Sequence, residues 1–196
     1  MQAKEINIPN DSALERDSAE KLLGVFQDIL SKGLCSLKAS CTTGEKLDSE
    51  LLDEHQFSSY QLAFSVAEIA AAKSFFHYCN ESTEGSYESA FALLFACDTL
   101  DNVMGRLKKI ALDVGIELDS LNALEGSAEY RNILSYNRPS VISALGSLII
   151  NEKIDRLRSG LDDEKELVRD TFYRFSEEIV APLAEKIHRE DLDIPE

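Results

Sequence analysis

Glycine and proline are scarce in this chain of 196 residues, at nine and four. The glycines are scattered, mostly at the ends of helical patterns. Neither G-x-G-x-x-G nor G-x-x-x-x-G-K-[ST] occurs, so no glycine-rich cradle for a dinucleotide or nucleotide phosphate is present. Basic residues are also few: twenty Lys and Arg against thirty-six Asp and Glu leave a net charge of −16. That balance argues against gripping a nucleic-acid backbone. No apolar run approaches the roughly 20 residues of a membrane span. The opening, Met1 to Pro9, lacks the apolar stretch of a secretory signal. Cys35, Cys41, Cys79 and Cys97 show no Cys-x-x-Cys spacing, and without an export signal they read as reduced thiols of a cytoplasmic protein. What the chain does have is apolar content, at 44%, too much for a disordered polypeptide and enough for a core.

That content is arranged with helical periods. Residues 1–10 carry no pattern and read as a flexible tail. Ser12 and Glu15 have capping-box spacing ahead of the stripe Leu22, Phe26, Ile29 and Leu30, with Gly33 as a stop signal. Residues 34–57 are less regular, with one short helix expected around Leu47–Glu54. Between Ser58 and Asn80 large apolar residues and alanines cover most of a helix's circumference, the pattern of a central bundle helix. A turn is expected at 81–85. A helix from Ser86 to Asp113 carries Leu93, Cys97, Leu100, Met104, Leu107 and Ala111, with Gly115 just beyond its end. Residues 116–138 are mixed, with a short helix near Ala128–Tyr136. Pro139 opens another helix, whose inward stripe is Val141, Leu145, Leu148 and Ile149 and whose end is Ser159-Gly160. A last helix begins beyond Leu161, with Leu167, Val168, Phe172, Phe175, Ile179 and Leu183 on its apolar face and a bend expected at Pro182. The expectation is an all-α, up-and-down bundle of about four long helices with a fifth, C-terminal helix.

Few residues offer chemistry. Glu185 and His188 share a helix face at the Glu-x-x-His spacing of carboxylate-bridged metal bundles, but the second such motif is absent. His77, Cys79 and Cys97 are soft ligands that a zinc ion would accept, yet cysteines among Phe and Leu usually pack as small hydrophobes. Arg106, Lys108 and Lys109 form the one dense basic cluster, placed to answer a helix dipole. Glu68, Asp98 and Asp101 interrupt apolar helices and, if turned inward, need partners such as Lys73 or Arg106. None of these is assigned as a catalytic, cofactor-binding or metal site.

The segment 161–196 resembles the opening helix of the acyl-CoA dehydrogenase family. The features are an acidic start, Leu167, then Arg169 ahead of Phe172 and Phe175, then Glu177-Glu178-Ile179-Val180-Ala181-Pro182-Leu183-Ala184, with an acidic stretch and Pro195 at the end. In that family the Ala-Pro pair lies within a helix. The runs Tyr60 to Lys73 and Ala90 to Leu100 are similar to an amino-terminal extension of some longer bacterial members, and more loosely to helices of the family's C-terminal bundle. The resemblance implies residues 11–160 as a helical extension and 161–196 as the first helix of a dehydrogenase N-terminal domain. It further implies a parent that oxidises an acyl-CoA to an enoyl-CoA using FAD, with electron-transfer flavoprotein as partner and a homo-oligomeric assembly. The parent's flavin site, acyl-CoA cleft and catalytic glutamate would all lie downstream. This chain alone is then expected to be non-catalytic, with a packing, oligomerisation or docking role. The alternatives are a free-standing acidic bundle serving as an adaptor, and a small metal-carboxylate bundle.

Overall fold

The computed structural model describes residues 13–81, 86–152 and 161–193. The tail at 1–10, Ser12 of the capping box, most of the turn at 81–85 and the Ser159-Gly160 stop lie outside them. The chain divides into two compact units, Met1–Arg156 and Leu157–Glu196.

In the first unit the order is α1 (Ala13–Ser40), a ribbon of β1 (Thr42–Thr43) and β2 (Lys46–Leu47), α2 (Ser49–Glu54), α3 (Gln56–Glu81), α4 (Ser86–Ile110), α5 (Leu118–Glu125), α6 (Ala128–Leu134), a 3-10 turn (Ser135–Asn137) and α7 (Pro139–Glu152). In the second unit α8 (Asp163–Phe175) runs through a π-turn (Ser176–Val180) into α9 (Ala181–Glu190). With α8, the π-turn and α9 taken as one continuous rod, the described residues form eight distinct helices. The fold is all-α apart from the ribbon, but the expected four long helices and a fifth are overturned. The connecting segments account for the difference. Asp48 caps α2 by accepting from the backbone N–H groups of Glu50 and Leu51, and Ser127 caps α6 by accepting from that of Tyr130. Helix α5 carries Leu121 into the core and α6 carries Tyr130 and Ile133, whereas α2 buries no side chain.

The core is built on α1, α3 and α4. The predicted stripe is buried throughout, from Leu93 on α4 to Ala111 in the turn just beyond that helix, which ends at Ile110 and not at the expected Asp113. It meets Leu22, Leu23, Phe26 and Leu30 of α1 and Leu62, Ile69 and Phe76 of α3. Tyr130 lies stacked on Phe26, ring centroids 6.1 Å apart, and its hydroxyl donates to the Leu100 carbonyl at 3.3 Å. Burial pushes the Tyr130 hydroxyl well above the ordinary phenol range. A smaller apolar cluster joins Ala90 to Val141 and Leu145 of α7; Ile149, expected inward, is exposed.

Two glycines have jobs that sequence spacing misassigned or left vague. Gly33 does not stop α1, which continues to Ser40. A Cβ there would stand 3.1 Å from Ile116 Cδ1 and 3.4 Å from Leu62 Cδ2, so the glycine permits close approach inside a helix. Gly115 has φ +65°, and a Cβ on it would lie 2.8 Å from Ser36 Oγ. It reverses the chain after α4, where the Ile116 N–H donates to the Ala111 carbonyl at 2.8 Å.

Helix α3 departs most from expectation. Its Leu62, Ser65, Ile69, Ala72 and Phe76 face the core, but the opposite face is exposed among the described residues. A helix apolar around its circumference is thus half covered. In the second unit, Asp162 caps α8 by accepting from the Lys165 N–H at 2.9 Å. The expected disturbance at Pro182 takes the form of the π-turn: the Ala181 N–H donates to the Ser176 carbonyl, five residues back. Widening that turn accommodates a proline that lacks an N–H and would crowd the Glu178 carbonyl in a regular helix. No described residue of this unit is buried.

Candidate functional site

The polar groups that sequence reasoning singled out are dispersed. Glu185 is exposed on α9 and pairs with Arg189 at 2.7 Å, one turn on, while His188 is exposed near the helix end. His77 is exposed, whereas Cys79 and Cys97 are buried. The Cys79 thiol donates to the Glu88 carbonyl at 3.3 Å and the Cys97 thiol to that of Ile133 at 3.0 Å. Burial, opposed by nearby backbone hydrogen bonds and reinforced by Asp101 and Asp98, pushes the Cys97 thiol up to about 12, so it holds its proton and is inert as a nucleophile. Cys41 is likewise buried, Cys35 is exposed, and all four are free thiols. Among the described residues no three His, Cys, Asp or Glu side chains come together as a group able to hold a metal ion.

The basic cluster is spent on joining helices. Arg106 makes a two-pronged ion pair with Glu68 of α3: Nη2 donates to Oε1 at 2.9 Å, and Nη1 to Oε2. That hydrogen bonding holds the guanidinium above its ordinary range. The same guanidinium lies 5.7 Å from the centre of the Phe64 ring, which in turn packs on Tyr60. Lys108 pairs with Glu125 of α5 at 2.5 Å, and Lys109 is exposed. The proposal of Arg106 as a partner for an inward acid holds for Glu68. Asp98 and Asp101 are exposed, Asp98 accepting from Asn102 at 3.1 Å. Neutralised in both directions, Glu68 and Arg106 act as a clasp between α3 and α4 and present no free acid or base.

A cleft of about 290 Å³ between α1 and α3 has a floor of Leu30, Val66, Ile69 and Ala70, with Lys73 donating to the Gln27 side-chain oxygen at 2.5 Å across it. Sequence reasoning did not find it, because Gln27 and Lys73 meet only through packing. The cleft does not fit a flavin. It sits at the lower limit of small-ligand sites, its lining is aliphatic apart from Gln27, Ser31 and Lys73, and no glycine-rich turn opens onto a helix there. The chain's clearest exposed features are apolar: the outer face of α3, and Leu167, Val168, Phe172, Phe175, Ile179 and Leu183 on α8 through α9.

An all-α chain with structural thiols and a clasped ion pair is defined by its packing surfaces, and it is similar, at a distance, to a member of the acyl-CoA dehydrogenase family. The particular relative is (2S)-methylsuccinyl-CoA dehydrogenase of Cereibacter sphaeroides, 30% identical over 194 residues. The match takes in 93% of this chain and 34% of that protein, so the chain spans about a third of the length of the curated relative it matches. No family model matches the chain. None of the described helices is long and apolar enough to cross a membrane.

Proposed function

We propose that this chain is the N-terminal helical region of an FAD-dependent, cytoplasmic acyl-CoA dehydrogenase that oxidises an acyl-CoA to an enoyl-CoA. In this reading residues 11–160 form an extension and residues 161–196 the first helix of the dehydrogenase-type N-terminal domain. The single observation that carries it is the similarity, over 93% of this chain, to a dehydrogenase of which the match covers 34%. The region itself is non-catalytic and serves packing, oligomerisation or docking. One structural fact supports that role: α8 through α9 present an apolar face to solvent. Burying each large side chain of that face gains about 1.5–3 kcal/mol, so a rod that leaves six of them exposed is built to meet a larger body. FAD and the acyl-CoA site then belong to the rest of the parent chain, with electron-transfer flavoprotein as the parent's electron acceptor.

The test compares two preparations. The 196-residue chain should purify colourless, without flavin absorbance. The product of the whole reading frame should be yellow and should bleach when an acyl-CoA substrate is added. Flavin in the short chain, or a whole product that is colourless, would overturn the proposal.

A further inference from the structure

The outer face of α3 is a larger anomaly than the chain's composition leads one to expect. Tyr60, Ala63, Phe64, Ala67, Ala71 and Ser74 lie on one side of the helix, all exposed, opposite the buried Leu62, Ser65, Ile69 and Phe76. Over about 21 Å of helix, at 1.5 Å per residue, this face carries no charge, in a chain where acidic and basic residues make up 29%. Of the charges that flank it, Glu68 is paired with Arg106, and the Lys73 ammonium is drawn toward α1, where it donates to the neutral Gln27 side chain. Covering the face itself therefore buries no charged side chain. Phe57, Tyr60 and Phe64 remain 60%, 57% and 45% exposed, which is costly for aromatic rings unless something covers them.

We propose that this face is where a second copy of the chain docks, α3 against α3, antiparallel about a two-fold axis at Ala67. Bulk along the face is graded, with aromatic rings in the N-terminal half and alanine and serine in the C-terminal half. An antiparallel pair sets large against small: Tyr60 opposite Ser74 of the other copy, Ala63 opposite Ala71, Phe64 opposite Ala70 and Ala67 opposite itself. A two-fold interface needs such self-complementarity, and a parallel pair would stack ring on ring. At about 150–250 Å² for an aromatic side chain, the exposed parts of the three rings supply roughly 300 Å² per copy. The alanines and serine bring the total for both copies to about 1,000 Å², the lower bound for a specific interface. The pair is thus a weak, reversible dimer. Because each copy carries −16, repulsion opposes it, and added salt strengthens it. This inference rests on the packing role proposed above and names its partner.

Sedimentation equilibrium of the 196-residue chain tests it. The weight-average mass should rise with concentration toward twice the monomer, and more steeply at 0.5 M than at 0.05 M NaCl. Ala67→Glu places two carboxylates on the axis and should weaken association at least tenfold with an unchanged melting temperature. Phe172→Ser, on the other exposed apolar helix, should leave it unchanged. In a Cys35→Ser background, Ala67→Cys should form a cross-linked dimer on mild oxidation. A chain monomeric at all concentrations, or a dimer lost with Phe172→Ser and indifferent to Ala67→Glu, would overturn the proposal. None of these readouts depends on flavin or on the length of the parent, so the two proposals fail separately.

Discussion

Gly115 lets two physical costs be separated by substitution. Its φ of +65° lies in the left-handed region, where a side chain is strained by about 1–3 kcal/mol. Part of this is offset, since alanine loses less backbone freedom than glycine on folding, by about 0.4–1 kcal/mol. Gly115→Ala also places a methyl group 2.8 Å from Ser36 Oγ, which must leave its rotamer at roughly 0.5–1.5 kcal/mol. The sum is about 2 kcal/mol, or a fall in melting temperature of roughly 4–8 °C for a domain of this size. Gly44 isolates the first cost, having φ +66° and nothing within 4 Å of its Cβ position, so Gly44→Ala should cost about 1 kcal/mol, the strain less the backbone-entropy offset. Ser36→Ala removes the obstructing oxygen, leaving only an ordinary 3.5 Å contact to the Ser36 Cβ. The double variant Gly115→Ala/Ser36→Ala should therefore recover about 1 kcal/mol, a coupling that a double-mutant cycle detects. Thermal denaturation followed by tyrosine fluorescence is a suitable assay, because Tyr130 and Tyr136 are buried. A Gly115→Ala variant as stable as the parent, or one that Ser36→Ala fails to rescue, would refute the reasoning.

Three further outcomes are expected. In the native chain at pH 8, iodoacetamide should modify Cys35 alone, with Cys41, Cys79 and Cys97 reacting only after denaturation; rapid native labelling of Cys97 would contradict its burial. Hydrogen bonding from Lys165 holds the Asp162 carboxyl below its ordinary 3.8, so its contribution to helix α8 is fully present above that value and is lost as pH falls through the lower, folded one. The helicity of a peptide spanning residues 161–193 should accordingly fall on acidification below about pH 4, and Asp162→Ala should blunt that fall; an unchanged acid transition in the variant would contradict the cap. In the same peptide Pro182→Ala supplies the missing N–H for the Glu178 carbonyl, and circular dichroism should show more helix; less helix would mean that the π-turn is required by something other than the proline.

The parts of the fold that could be read from sequence were those set by local spacing. The stripe from Leu93 to Ala111 needed only a period of three to four. The Glu68–Arg106 clasp was anticipated as a possibility because a charge on an apolar helix demands a partner. The parts set by tertiary contact were not readable. Gly33 carries a stop signal, yet close packing from Leu62 and Ile116 uses it inside a continuous helix. Helix α5 begins at Leu118, and Glu117 at its N-cap makes no side-chain capping hydrogen bond, so nothing local announces it. The even apolar covering of α3 pointed to a central helix, and only the structure shows which side is left exposed. The absence of a candidate site assignment had a similar cause: Gln27 and Lys73 are distant in the chain, and no spacing connects them.

The coding sequence immediately downstream of the Glu196 codon tests the dehydrogenase reading most directly. The account predicts an open frame that continues into a β-rich domain and a second helical bundle, giving a protein about three times as long as this chain. A stop codon directly after Glu196 would contradict it.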